Sequence, residues 1–187
     1  MQTFKIKSYA KINLALHVTG KASKLHKIES LVSFINLHDL INLKFINNKD
    51  HKVSFKGKFA KNIGKNNTVL NLLRLLDKKK LLNKKKFRID IIKNIPQKAG
   101  MGGGSMNASS LINFFMFKKI IKIKETEIVE IAKLIGSDVI LGINPANTIL
   151  SSNSKIKKYK KKISLYTLVV KPNFGCSTGY VFSKVKS

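Results

Sequence analysis

Ile95-Pro96-Gln97-Lys98-Ala99-Gly100-Met101-Gly102-Gly103-Gly104-Ser105-Met106-Asn107-Ala108 holds four glycines within five positions, at 100 and at 102 to 104. Glycine lets a backbone take φ > 0 and lets a ligand approach its N–H groups closely. What flanks the stretch gives it a function. Phe87, Ile89 and Ile91 alternate ahead of it, which predicts a strand, and Ala108, Leu111, Ile112 and Phe115 recur behind it at helical spacing. A glycine-rich turn between a strand and a helix start aims free N–H groups and the helix dipole at one point, and an anion fits there. Ser105 adds a hydroxyl for a phosphate or a metal ion. A flexible linker has no reason to sit in that position. Two other nucleotide loops are excluded. A Walker A loop ends in Gly-Lys-Ser/Thr, which is absent. A dinucleotide fingerprint needs a third glycine where Ser105 stands, and an acid closing a second strand about 20 residues on. Glu125 and Glu127 instead open a helix.

Outward from the loop, the pattern predicts an α+β chain. Phe4 and Ile6 alternate with lysines as in a strand, so no secretory leader is expected. Ile12, Leu14, Leu16 and Val18 make a further strand, followed by a turn over residues 20–24. Ile41, Leu43 and Phe45, a turn at residues 47–50, then Val53 and Phe55 predict a hairpin. Asn66, Asn67 and Thr68 can cap a helix bearing Val69, Leu72, Leu73 and Leu76. Residues 78–86 read as a basic connector. Residues 125–135 form an amphipathic helix closed by Gly136. A lysine-rich turn over residues 155–162 and a strand at Tyr166, Leu168 and Val170, stopped by Pro172, complete the reading.

Length and charge narrow the function. The 187 residues allow one good core and part of a second. No stretch reaches the roughly 20 apolar residues of a membrane span. The single cysteine, Cys176, cannot form an internal disulfide, and the cytoplasm is the expected compartment. The net charge of +28 invites a nucleic-acid reading. Yet only Arg74 and Arg88 are arginines against 35 lysines, and arginine is the better reader of bases. Lys, Ile and Asn, all with AT-rich codons, fill 75 positions, so base composition explains much of the excess. No specific nucleic-acid partner is expected. The charge would help draw in an anionic substrate.

Four segments in order then carry a resemblance. The glycine stretch is similar to the second motif of the GHMP kinases, Pro-x-x-x-Gly-Leu-Gly-Gly-Gly-Ser-Ser-Asn-Ala. Residues 8–16, Ser-Tyr-Ala-Lys-Ile-Asn-Leu-Ala-Leu, resemble the opening of the branch that acts on 4-diphosphocytidyl-2-C-methyl-D-erythritol. Leu25-His26-Lys27-Ile28-Glu29-Ser30, with His38-Asp39 downstream, and Gly136-Ser137-Asp138-Val139 resemble two further segments of that branch. Departures are Lys98 for a glycine, Met106 for the second serine, Lys24-Leu25 for a Gly-Tyr pair, and Ile140 for a proline.

The resemblance implies a fold and a reaction. The fold is the GHMP kinase fold: a domain like the second domain of ribosomal protein S5 over residues 1–150, then the beginning of a ferredoxin-like domain over residues 151–187. The family's third glycine motif is absent up to Ser187, so a C-terminally shortened chain is expected. The reaction is ATP-dependent phosphorylation of the substrate's 2-hydroxyl in the non-mevalonate isoprenoid pathway. Lys11 and Asp138 would be catalytic. Pro96, Lys98, Ala99, Gly100, Met101, Gly102, Gly103, Gly104, Ser105 and Asn107 would hold ATP, with Asn67 and Lys93 near the adenine. Asn13, His26, Thr178 and Phe182 would bind substrate. Mg²⁺ is expected with ATP, its ligands unassigned. The alternatives are another GHMP kinase (homoserine, mevalonate or galactose), a basic RNA-binding protein of S5-like fold, and an inactive remnant.

Overall fold

The computed structural model describes residues 2–22, 25–153, 155–159, 164–176 and 178–185, with the side chains of Ala22, Leu25 and Thr178 outside the described set. Two long strands, β1 (Phe4–Ala22) and β2 (Leu25–Ile46), form an antiparallel pair. The Phe4–Lys7 and Ile12–Val18 patterns are thus one strand, bent by register shifts between Tyr9 and Lys11, Asn13 and Ala15, and Val18 and Gly20. Pairing continues to Ala22 opposite Leu25, so most of the expected 20–24 turn is strand; 23 and 24 lie outside the described residues.

The rest of the sheet builds on the other edge of β2. β3 (Lys52–Lys56) and α1 (Thr68–Lys78) lead to β4 (Lys86–Ile92), which pairs antiparallel with β2 over Leu40–Ile46. After α2 (Gly103–Phe117), α3 (Glu125–Ile135) and a 3₁₀ turn (Val139–Gly142), β5 (Asn147–Leu150) pairs with β2 over Ser30–Val32. β6 (Ile156–Tyr159) adds beyond β5, and α4 (Thr178–Ser183) closes the described chain. The expected hairpin at 41–55 does not form. β3 passes to the far side of β4 and pairs with it in parallel, giving the order β3-β4-β2-β5-β6. Alternation fixes which face a residue occupies, not which strand lies beside it.

Two further expectations change near the end. Ile156–Tyr159, read as part of a turn, is a strand. Tyr166, Leu168 and Val170 form no strand; they lie exposed in a segment without regular structure. An alternating pattern becomes a strand only where backbone groups find a partner.

Helices α1, α2 and α3 cover one face of the sheet. Phe87, Ile89 and Ile91 point from β4 into that layer, against Leu72, Leu73 and Leu76 of α1 and Leu111, Ile112 and Phe115 of α2. Each such side chain, fully buried, contributes about 1.5–3 kcal/mol. Arg88 and Asp90 point the other way and pair with each other at 3.0 Å. Gly136 closes α3, with φ 167° and its N–H on Ala132 O at 3.0 Å. That backbone is extended, so a left-handed cap is not what places glycine there. No helix among the described residues is long and apolar enough to cross a membrane.

Candidate active site

The loop from Pro96 to Gly102 delivers the chain from the sheet to the start of α2. Lys98, Gly100 and Gly102 take φ of 51°, 69° and 65°. Gln97 Nε2 donates to Phe59 O at 2.7 Å and Lys61 O at 2.8 Å, pinning one side of the loop. Ala99 and Met101 pack with Ala10 and Ile95 beneath it. Lys98 O accepts from Cys176 N at 3.1 Å. Gly102 caps α2 in the left-handed region without a side-chain bond, and its carbonyl accepts from Met106 N at 2.8 Å. The N–H groups of Gly103, Gly104 and Ser105 therefore precede the first intrahelical bond and face outward along the axis, as an anion requires.

Each glycine of the triplet abuts a different element. A Cβ on Gly102 would lie 3.0 Å from Lys11 Cγ of β1. On Gly103 it would meet Ile95 Cγ2 at 3.1 Å and Lys93 Nζ at 3.2 Å, and on Gly104 Thr68 Oγ1 of α1 at 3.0 Å. Thr68 Oγ1 donates to Gly104 O at 2.8 Å. The glycine run is thus tightly packed from three sides, and Gly102 is also in the left-handed region.

Lys11 and Asp138 meet at Gly102. The bulge between Tyr9 and Lys11 turns the lysine toward the loop, where its N–H donates to Met101 O at 3.2 Å. Lys11 Nζ lies 3.4 Å from Asp138 Oδ2 and donates to Asn13 Oδ1 at 2.9 Å. Asp138 precedes the 3₁₀ turn but spends no side-chain bond on capping it. Its carboxylate, about one-third exposed, is available for chemistry, whereas Lys11 is nearly buried. Three residues far apart in sequence therefore converge beside the helix start.

The segment carrying Asp138 is held by residues the sequence did not single out. Asn113 Nδ2 donates to Gly142 O at 2.8 Å, and its Oδ1 accepts from Asn144 N at 3.2 Å. Lys158 Nζ donates to Ile143 O at 2.6 Å and Asn144 O at 3.0 Å. Burial pushes the Lys158 ammonium below its usual range, with Glu125 opposing the shift. No local pattern marks either residue, because their partners are backbone carbonyls of a distant turn.

Three other residues expected near ATP have surroundings of their own. Asn67 is the N-cap of α1: its Oδ1 accepts from Leu70 N at 3.0 Å and its Nδ2 donates to Gly64 O at 2.9 Å. Asn107 is buried beneath the loop, with Oδ1 unpartnered. Lys93 is buried and paired with Asp39. Asn67 and Lys93 thus already engage protein partners. Asp39 was visible only as a motif match. It stands in the inward series Leu37, Asp39, Ile41, Leu43, and Lys93 stands in Phe87, Ile89, Ile91, Lys93. A charge at an apolar-phase position on two neighbouring strands is a signal for a buried pair.

His26 and Phe182 do come together. Their rings stack with centroids 5.4 Å apart and planes 27° from parallel. Thr178 opens α4, and its side chain lies outside the described residues.

An α+β sheet with a glycine loop at a helix start whose free N–H groups suit an anion, and no Walker sequence, narrows the chain to a class of fold. Residues 67–151 match the family described as GHMP kinases N terminal domain. A 4-diphosphocytidyl-2-C-methyl-D-erythritol kinase of Pelagibacter ubique (strain HTCC1062) is 65% identical over 187 residues, covering 100% of this chain and 66% of that relative. One of Wolbachia sp. subsp. Brugia malayi (strain TRS) is 34% identical over 194 residues, covering 98% of this chain and 66% of the relative. Among solved structures, a 4-(cytidine 5'-diphospho)-2C-methyl-D-erythritol kinase superposes with TM-score 0.67 at 21% identity, over 83% of this chain and 55% of that one. A mevalonate kinase superposes with TM-score 0.59 at 17% identity, over 84% and 56%. At these identities the structural likeness speaks for the fold. The chain belongs to the GHMP kinases. It spans about two thirds of the length of the curated relatives it matches.

Proposed function

We propose that the protein transfers the γ-phosphoryl group of ATP to the 2-hydroxyl of 4-diphosphocytidyl-2-C-methyl-D-erythritol, a step in making isoprenoid precursors. The observation that carries this reading is the meeting of Lys11, Asp138 and Gly102 beside the free N–H groups of Gly103 to Ser105. The name of the 65%-identical relative supports the substrate. We read residues 1–150 as the ATP-binding domain and residues 151–187 as the beginning of a second one, in a cytoplasmic protein.

Phosphoryl transfer needs positioning, charge neutralisation and a destination for the hydroxyl proton. The loop N–H groups hold the phosphate oxygens. The substrate 2-oxygen forms the new bond to the γ-phosphorus as the bond to the ADP oxygen breaks, and the hydroxyl proton passes to the Asp138 carboxylate. Lys11 faces the Asp138 carboxylate at 3.4 Å and, through Asn13, shapes the place where the hydroxyl sits. The His26–Phe182 stack offers a flat surface for a cytosine ring.

Mg²⁺, when bound with ATP, neutralises phosphate charge. Among the described residues no three His, Cys, Asp or Glu side chains gather. Ser105, Thr68 and Asp138 carry side-chain oxygens near the loop, and a single carboxylate among them fits an ion carried mainly by phosphates and water.

The test is coupled ADP release by the purified chain with ATP and the cytidylyl alcohol, against homoserine, mevalonate and galactose. Turnover confined to the cytidylyl alcohol is expected. No turnover by folded chain that binds ATP sinks the reading of this chain as a working kinase.

A further inference from the structure

We propose that Asp39 and Lys93 form a buried positioning unit that sets the phosphate loop from beneath, and that Lys93 acts on bound nucleotide through Gly103 rather than by touching the base. This rests on the reading of the loop as an ATP-phosphate site. Three observations carry it. Both side chains are buried, Asp39 fully, and they are paired through Asp39 Oδ2 and Lys93 Nζ. The other carboxylate oxygen, Oδ1, accepts from Asn94 N and Ile95 N, each at 2.8 Å. These are the last two residues before the loop's Pro96. Finally, Gly103, whose N–H heads the anion site, lies close over Lys93 and Ile95: a Cβ there would stand 3.2 Å from Lys93 Nζ and 3.1 Å from Ile95 Cγ2.

The physics of the pair follows from its burial. An ion pair removed from water holds its geometry because leaving either charge unpaired is costly. Asp39 is fully engaged: one oxygen holds the lysine, and the other holds two backbone donors that fix how the chain leaves β4. Lys93 Nζ in turn underlies the first free N–H of the α2 start. Anion sites built from backbone N–H groups depend on the direction of those groups, so a shift at Gly103 is read directly by a phosphate. The adenine has no access to a lysine ammonium that is buried and already paired.

The experiment measures equilibrium binding of ATP, GTP and inorganic tripolyphosphate to the wild-type chain, Asp39→Asn and Lys93→Gln. In both variants ATP and tripolyphosphate should weaken together by about tenfold or more, and the ATP-to-GTP ratio should stay at its wild-type value. A ratio that collapses in Lys93→Gln while tripolyphosphate binding is unchanged overturns the proposal and makes Lys93 a base contact. Wild-type tripolyphosphate binding in both folded variants overturns it too. A wild-type measurement covers the case of variants that do not fold. The backbone amide signals of Asn94, Ile95 and Gly103 should move on adding tripolyphosphate and move little further with ATP; signals that respond to ATP alone overturn the proposal. Wild-type chain that binds neither ligand refutes the loop reading itself.

Discussion

Gly100 and Gly102 share a backbone conformation and differ in their surroundings. Their φ values are 69° and 65°, but a Cβ on Gly100 would meet nothing within 4 Å, while one on Gly102 would press on Lys11 and approach Asp138 Oδ2 at 3.6 Å. An alanine at either position carries the left-handed penalty of about 1–2 kcal/mol. Gly102→Ala should therefore lose at least as much stability as Gly100→Ala in urea unfolding, because its Cβ also crowds Lys11. Only Gly102→Ala should also displace the Lys11 ammonium and lower kcat further than Gly100→Ala does. Equal kcat in the two would mean that the lysine tolerates the intrusion. Asp138→Asn is the complementary change. It keeps the shape but removes the proton acceptor, so kcat should fall by about a hundredfold to ten-thousandfold while ATP affinity is mostly retained. Normal turnover in that variant would assign the base elsewhere.

At the scale of elements, the turn between β2 and β3 supports a pH-dependent stability. His51 stacks on Phe87 with planes 1° apart, and its Nδ1 accepts from Phe87 N at 3.1 Å. That bond requires an unprotonated Nδ1, leaving Nε2 to donate to Asp77 Oδ2 at 3.0 Å. Burial first, and the nearby Lys86 charge, push the His51 pKa below its ordinary 6.5, against the pull of Asp77. The unfolded chain therefore takes up a proton at a higher pH than the folded one. Stability is fully present above about pH 6.5 and declines as the pH falls through the lowered folded value. Urea midpoints between pH 7.5 and 5.5 should drop more in the wild type than in His51→Gln, whose side chain can keep both bonds without titrating. Parallel pH curves would remove His51 as the cause. The same region separates what the sequence revealed from what it did not. Residues 125–135 are the α3 helix at the expected bounds, since two acids open it and a glycine follows. The loop was legible because strand, glycines and helix are contiguous. The β3–β4 pairing was not, because a parallel neighbour is chosen by packing across a connection that includes α1. The catalytic roles expected of Lys11 and Asp138 came from family resemblance alone, and their meeting is seen only in the fold. No periodicity reports a contact between a strand near the start and a turn after α3.

Over the whole molecule, charge is the unbalanced term. Thirty-seven lysines and arginines face nine acids. Among the described residues, five of those acids, Asp39, Asp77, Asp90, Glu130 and Asp138, are already in ion pairs. Most cations consequently repel one another across the surface, which opposes the compact state. Their spacing on strands such as β3, with Lys52 and Lys56 exposed, keeps that repulsion within reach of dissolved ions. Screening lengths shrink from about 30 Å at 0.01 M salt to about 10 Å at 0.1 M. Raising NaCl across that range should therefore stabilise the fold, the opposite of what a chain held by surface salt bridges would do. A gain of about 1 kcal/mol would raise Tm by about 2–4 °C for a chain of this size. If the loop holds phosphate as proposed, tripolyphosphate should reach the same gain at far lower concentration, since binding to the native state adds stability by mass action. Thermal melts in NaCl and in tripolyphosphate, repeated with Gly102→Ala, separate the two contributions. The NaCl response should survive the substitution and the low-concentration tripolyphosphate response should shrink. A Tm that falls with NaCl would show that attractive surface ion pairs outweigh surface repulsion in setting the stability of this chain.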